Sequence, residues 1–585
     1  MLSKTIENSS PRLRKTTDKL LGVLGAHPYL SALFMCFLIT LFCFGSLMHI
    51  PSYTPYAAWA ALTAVSCGVI YKVCGRLKLP FITFVFLTIS AAAFFFLGFC
   101  AYRESDRKIA WIYFYGCSLV SLLFVLFYRS ELKRRCISLL ITGLGFWLKL
   151  CYVLCTNVNM RQHDDGWFSD GEPASGHLGY ISYLFTYHKL YQGDYRSLMQ
   201  YCHPPLHHII CAIWLHIMED IFHVERDAAL ESMQMLTLFY SFSIIISAYL
   251  ILRHFKLEGR ALYIPLTLVS FHPCFIYLSA LINNDALAWA FTMGAFLCTL
   301  EWYKEPSMKN IIKIAFCIGL GMMSKLSAAL IALPVAQIFL IVFLRDLKGS
   351  WKKLMGQFLA FGSICVPLGL WFPVRGLIRW GIPLTYVQEL PAGMDQEISD
   401  ISFLDRVTDF RLSQVSNVFE NWAYRDEYGE LAGVNEHNPL IAILKNSIFG
   451  EFVNGMYFES GMVNVCRIFF WTSASIAFIA FVSMIITFIK DRSADKVQKL
   501  FTGMFYIVLV GNLYSMSSNY PLVCTMNFRY LMPTVVIGAL FVGMVIKRKS
   551  KLQRPYSIAM TVAVPCFAAM SSLIYIVVCQ KSDLG

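Results

Sequence analysis

Two short segments concentrate side chains that could do chemistry: "RQHDDGWFSDG" at 161–171 and "YCHPPLHH" at 201–208. In the first, Asp164 and Asp165 follow an apolar run by fewer than ten residues. A carboxylate at a membrane edge is partly desolvated, which raises its pKa and its strength as a base. Within hydrogen-bond reach of an acceptor, such a group takes the proton from an attacking hydroxyl or amine; His163 beside it is a candidate to position the substrate. The plain alternative is a solvated Asp165–Gly166 turn. In the second segment, Pro204 and Pro205 suit the first turn of a helix running through Leu206–Met218. A helix start favours a phosphate, and His203, His207 and His208 add donors at the same end. Eight of the 13 histidines fall between 163 and 223, so the enrichment belongs to one region. The alternative here is an interfacial helix with its imidazoles among lipid headgroups. His163, Asp164, His203 and His207 have metal-ligating side chains, but their spacing matches no metal motif, and no metal site is assigned.

Three further points stand out. Asn283, Asn284 and Asp285 sit at a turn between apolar runs, either as a polar hairpin or as ligands that position a substrate. Lys325 interrupts the apolar "GLGMMSKLSAALIALP". An ionisable residue at membrane depth is a site candidate by default, and a lipid phosphate is its natural partner. The two glycines before it lack nucleotide-loop spacing and read as close helix packing. Arg529, next to Tyr530 in "CTMNFRYLMP", suits bidentate phosphate binding or snorkels to an interface.

The elements that must position these groups are membrane helices. Of 585 residues, 57% are hydrophobic and 15% charged, against roughly a quarter charged in soluble domains. The chain reads as an all-α polytopic membrane protein. Spans are expected at 29–49, 57–73, 81–101, 110–128, 136–156, 231–252, 261–282, 285–302, 310–323, 326–344, 355–378, 465–489, 499–516, 530–546 and 557–579. With the basic N-terminus in the cytoplasm, every strongly basic loop falls on that side, as the positive-inside rule expects. The net charge of +13 is therefore topogenic, and no nucleic-acid partner is implied. The 19 cysteines contain no Cys-x-x-Cys pair and read as small buried hydrophobes. The first apolar run reads as a retained anchor rather than a signal peptide.

This orientation puts loops 157–230 and 379–464, the 282–285 turn and 517–530 on the outer side. The 379–464 loop holds thirteen Asp or Glu against five Lys or Arg, and its length suggests a packed cap. Four parts follow: 1–135, a cytoplasmic tail with four appended spans; 136–378, a core carrying the first outer loop; 379–464, the acidic loop; and 465–585, the C-terminal spans. Carboxylates, imidazoles, a Lys and an Arg then share one face, which suits a lipid-phosphate-linked substrate met by an acceptor from outside.

The ordered set "HDDG…GHLGYISYL…HPPLHH…NNDAL…SKLSA…FRYLMP" resembles the GT-C membrane glycosyltransferases. Within them it is similar to the dolichyl-phosphate-mannose protein mannosyltransferase and aminoarabinose transferase-like superfamily (glycosyltransferase family 39-like), in a bacterial form, over roughly 136–546. The resemblance implies a GT-C transmembrane bundle with short juxtamembrane helices. It implies inverting transfer of a hexose or pentose from a polyprenyl-phosphate donor to a lipid, protein or wall-glycan acceptor outside the cell membrane. Asp164 would be the general base and Asp165 would orient the acceptor. Lys325 and Arg529 would hold the donor phosphate, with His203 where the family often carries Lys, and with His207 and His208 beside it. Asn284, Asp285, Tyr530 and His163 would position substrate. No cofactor is required, because the leaving group is already a phosphate; a divalent metal is the lesser alternative. Transport or flipping of a lipid-linked saccharide, or ligation of a whole glycan, are the competing functions.

Overall fold

The computed structural model describes Gly68 and residues 133–163, 168, 175–347, 349, 351–388, 395–425, 431–458, 460–490, 495–548 and 553–579. The chain divides into two compact units, Met1–Cys136 and Ile137–Gly585. Apart from Gly68, the four leading spans lie outside the described residues, as do Asp164 and Asp165.

The second unit is a helical membrane bundle. Among the described residues, seven helices are long and apolar enough to cross a bilayer: Ile137–Cys155, Arg226–His254, Leu326–Arg345, Trp351–Trp380, Gly461–Lys490, Lys496–Asn519 and Gln553–Cys579. An eighth span is counted if Val523–Leu531 and Pro533–Lys547 are joined across their 47° bend. Large apolar side chains such as Leu359, Ile378, Phe478 and Ile489 are exposed, as lipid-facing surfaces require.

Eleven of the expected spans fall on described residues, and three of them depart from expectation. The run 261–282 is broken into Arg260–Phe271 and Pro273–Tyr277. His272 between them is extended, as the residue before a proline prefers, and its ring caps the second helix by accepting from Cys274 N. Asp285–Lys304 and Met308–Ser324 form as helices but are not among the seven. They pack on each other, and Met308–Ser324 also packs on Trp351–Trp380. A Cβ on Gly319 would lie 2.8 Å from Leu368 Cβ, and one on Gly321 would lie 3.0 Å from Ala328 Cβ. These glycines allow the close approach that their sequence suggested.

The 379–464 segment folds against the bundle through short elements. They include a two-stranded antiparallel ladder (Tyr424–Arg425 with Leu431–Ala432) and the buried helix Pro439–Phe449. Asn438 caps that helix by accepting from Leu440 N and Ile441 N. Ile398, Ala442, Val523 and Met526 form a common core with Trp422. The backbone also joins 395–398 to 521–523 (Ile398 N to Pro521 O, Val523 N to Gln396 O). This cap therefore fastens directly onto the turn that carries Arg529.

Candidate functional site

Breaks in helices build the site. The Met308–Ser324 helix ends at Lys325, whose backbone is extended (φ −154°, ψ 132°) before a 3-10 turn begins at Leu326. A broken helix leaves carbonyls in need of donors. Asn284 meets one of them: its Nδ2 donates to Ser324 O at 3.0 Å. The next residue, Asp285, opens the Asp285–Lys304 helix, where a carboxylate complements the positive end of the dipole. Its Oδ1 lies 2.6 Å from Lys325 Nζ, and its Oδ2 lies 3.8 Å from Arg529 Nε.

Arg529 sits in the 3-10 turn Phe528–Leu531, just before Pro533 starts the last part of the bent pair. Asn527 caps this turn by accepting from Arg529 N, while Arg529 O accepts from Trp289 Nε1 at 2.8 Å. From the cap segment, Asn446 Oδ1 accepts from Phe528 N at 2.9 Å, and Asn446 Nδ2 donates to Glu420 and to Met526 O. Asn527 Nδ2 donates in turn to Glu451. Both cations lie over the Tyr530 ring, 5.0 Å (Lys325) and 5.2 Å (Arg529) from its centroid.

These groups line a cavity of about 670 Å³. Its lining includes the polar side chains of Asn283, Asn284, Asp285, Lys325, Arg529, Tyr530, His203 and His177, together with the apolar side chains of Leu326, Leu330, Leu333, Leu370, Val508 and Met516, which form its greasy groove wall. Burial first, and then the nearby Lys325, push the His203 pKa down to about 3, so its ring is neutral at physiological pH. With two cations against one carboxylate, the lining has an excess of positive charge suited to one phosphate.

Lys325, Arg529, Asn284, Asp285, Tyr530 and His203 are thus brought together in one cavity lining. His163, His207 and His208 are buried and do not line the cavity. His163 contacts Tyr152 Oη at 3.0 Å. His207 lies 3.6 Å from Cys211 Sγ one turn along its helix, and His208 bonds to His177. The helix itself runs Leu206–His216 and passes into a π turn at Ile217–Ile221, with Pro205 as its N-cap rather than its first turn. Sequence reasoning gave no role to His177, Gln200 or Gln388, which also line the cavity. The only sequence signal for His177 was its place in "GHLG" inside the histidine-rich region. Among the described residues, no three His, Cys, Asp or Glu side chains are grouped to hold a metal ion.

Residues 202–371 match the family model described as dolichyl-phosphate-mannose-protein mannosyltransferase. That segment is similar to this family. It contains His203, Asn284, Asp285 and Lys325, while Arg529 joins them from outside it. The family implies a membrane glycosyltransferase that uses polyprenyl-phosphate sugar donors, and the apolar helices agree with a membrane protein. No curated protein matches the chain.

Proposed function

We propose that the chain is an inverting glycosyltransferase that moves a single sugar from a polyprenyl-phosphate donor to an acceptor on the extracytoplasmic side of the cell membrane. The observation that carries this reading is the union, in one cavity, of Lys325 and Arg529 with an apolar groove. The groove takes the isoprenoid tail, and the cations take the phosphate. A donor phosphodiester carries one negative charge; the departing polyprenyl phosphate gains a second acidic oxygen, with a pKa near 6 for phosphate monoesters. Fixed positive groups therefore stabilise the product side of the step more than the reactant side, which is how such a site lowers a barrier.

The acceptor oxygen attacks the anomeric carbon from the face opposite the phosphate. The carbon–oxygen bond to the phosphate breaks, its electron pair stays on the phosphate oxygen, and the acceptor's proton goes to a carboxylate. Asp285 is a poor candidate for that carboxylate, because its Oδ1 is already engaged by Lys325 Nζ at 2.6 Å. The role falls to Asp164, with Asp165 orienting the acceptor. No step calls for a metal, since the cations already neutralise the leaving group.

The test uses the full chain in lipid nanodiscs with polyprenyl-phosphate sugars. Asp164→Asn should lower transfer by on the order of 10²–10⁴-fold while donor binding persists. Undiminished transfer by that variant would remove Asp164 from the mechanism. Movement of the donor across a bilayer without transfer would favour the flippase reading instead.

A further inference from the structure

Behind the cavity wall, His177 and His208 form an imidazole pair. His177 Nδ1 lies 2.9 Å from His208 Nε2. His208 is fully buried, and its other ring nitrogen, Nδ1, has no hydrogen-bond partner among the described residues. Its ring lies edge to edge and nearly coplanar with that of His177 (centroids 5.2 Å, planes 15° apart) and 4.5 Å from the ring of Tyr180, which stacks on Tyr201 at 4.4 Å. His177 is also buried, yet it lines the cavity, and its Nε2 has no hydrogen-bond partner among the described residues. Burial holds both imidazoles far below their usual pKa, so both are neutral.

A bond between two neutral imidazoles has two arrangements. If His177 donated from Nδ1, His208 would carry its proton on the buried, unpartnered Nδ1. Orphaned buried N–H groups are rarer than orphaned acceptors. Both rings would also adopt the intrinsically less favoured Nδ1–H form. If His208 donates from Nε2, both rings take the favoured Nε2–H form, and His208 leaves only a lone pair without a partner. The hydrogen bond at one nitrogen then sets what the other offers.

We infer that His208 fixes His177 as the Nε2–H tautomer, so that His177 presents a hydrogen-bond donor to a hydroxyl oxygen of the donor's sugar. The inference rests on the reading of the cavity as a sugar-phosphate site. A hydroxyl is chosen over a phosphate oxygen because the lining already supplies two cations, Lys325 and Arg529, for the phosphate, whereas His177, neutral and bonded to His208, offers one uncharged N–H. The His203 ring lies nearly parallel to that of His177, with centroids 6.2 Å apart. His177 is the binding residue here, and His208 is a positioning residue that acts through it.

Two measurements on the full chain in nanodiscs test the inference. Solid-state ¹⁵N spectra of histidine-labelled protein, with the signal assigned by its loss in His177→Gln, should show His177 protonated at Nε2 and bare at Nδ1. His208→Leu should mix the two tautomers, and His208→Gln, whose amide can still donate, should restore one. Protonation of His177 at Nδ1 in the wild type overturns the inference. The second measurement compares binding of bare polyprenyl phosphate with binding of polyprenyl phosphates bearing a hexose or a pentose. His177→Phe should weaken the best-bound sugar form about tenfold, a single hydrogen bond's worth, and leave the bare phosphate unchanged. His208→Leu should do the same to a smaller extent, with His208→Gln close to wild type. Equal weakening of both lipids, or of neither, overturns the hydroxyl contact alone. If no sugar-bearing lipid binds better than the bare phosphate, the donor-site reading falls with it.

Discussion

Replacing Lys325 by Met separates two roles that one ammonium plays. Lys325 Nζ neutralises Asp285 at 2.6 Å; the two side chains are 15% and 2% exposed. Removing one partner of a buried pair costs about 3–5 kcal/mol. Here Arg529 remains 3.8 Å from the other carboxylate oxygen, worth about 4 kcal/mol of attraction at an effective dielectric of ~20. Lys325 also borders open space, so the loss should sit at the low end, about 3 kcal/mol. With donor bound, the same ammonium meets the phosphate, and loss of one preorganised donor to developing charge lowers turnover on the order of 10²–10³-fold. The double variant Lys325→Met, Asp285→Asn distinguishes the roles. It has no orphaned carboxylate, so thermal unfolding in nanodiscs should return to within about 1 kcal/mol of wild type, as coupled partners do in a mutant cycle. Transfer should stay low, because the phosphate still lacks its cation. Recovery of transfer together with stability would refute the argument, since Lys325 would then serve Asp285 alone.

Glu420, in the cap, has its pKa raised by burial first and by Glu451 next. A carboxyl with a raised folded-state pKa stabilises the fold fully below its unfolded value, and that contribution is lost as pH rises through the folded value. Glu420→Gln should therefore be more stable than wild type at about pH 8 and lose that advantage toward pH 4, as a thermal-unfolding series across pH would report. Gly145→Ala should cost about 1–3 kcal/mol by overpacking, because its Cβ would lie 2.7 Å from Ser270 O, the carbonyl that Lys149 Nζ also reaches; unfolding midpoints check this. Leu330→Trp fills part of the apolar groove, so KM should rise for a long-chain polyprenyl donor and change little for a short-chain one.

How much of the site could be read from the sequence depends on what each residue costs where it stands. Lys325 and Arg529 were legible because a charge within an apolar run is expensive and has to be offset by a partner or a ligand. Asp285 was legible as a polar point between spans, though not as the partner of Lys325. The phase of the Leu206–His216 helix was not legible. That helix is apolar nearly all round, so its pattern does not say which face turns inward, and tertiary packing sends His207 and His208 into the protein while His203, ahead of the prolines, stays at the cavity. Nor was the bond from Phe528 N, next to Arg529, to Asn446, 82 residues earlier in the chain, since nothing local marks a partner at that separation.

The same physics explains why the site lies where helices stop. At membrane depth a peptide group without an internal hydrogen bond is tolerated only where it lines a cavity or is buried in protein that can meet it. Lys325 occupies a break, Arg529 a 47° bend, Asp285 a helix start and His203 the turn before Pro204 and Pro205. Each break exposes polar backbone, and at two of them side chains from elsewhere meet it: Asn284 at Ser324 O beside Lys325, and Asn446 at Phe528 N with Trp289 at Arg529 O in the turn of Arg529. Closing one of these breaks would restore helical hydrogen bonds, but it would also swing a charged side chain away from the cavity. The irregular backbone and the excess positive charge therefore go together: the helices end where the cavity needs charged side chains.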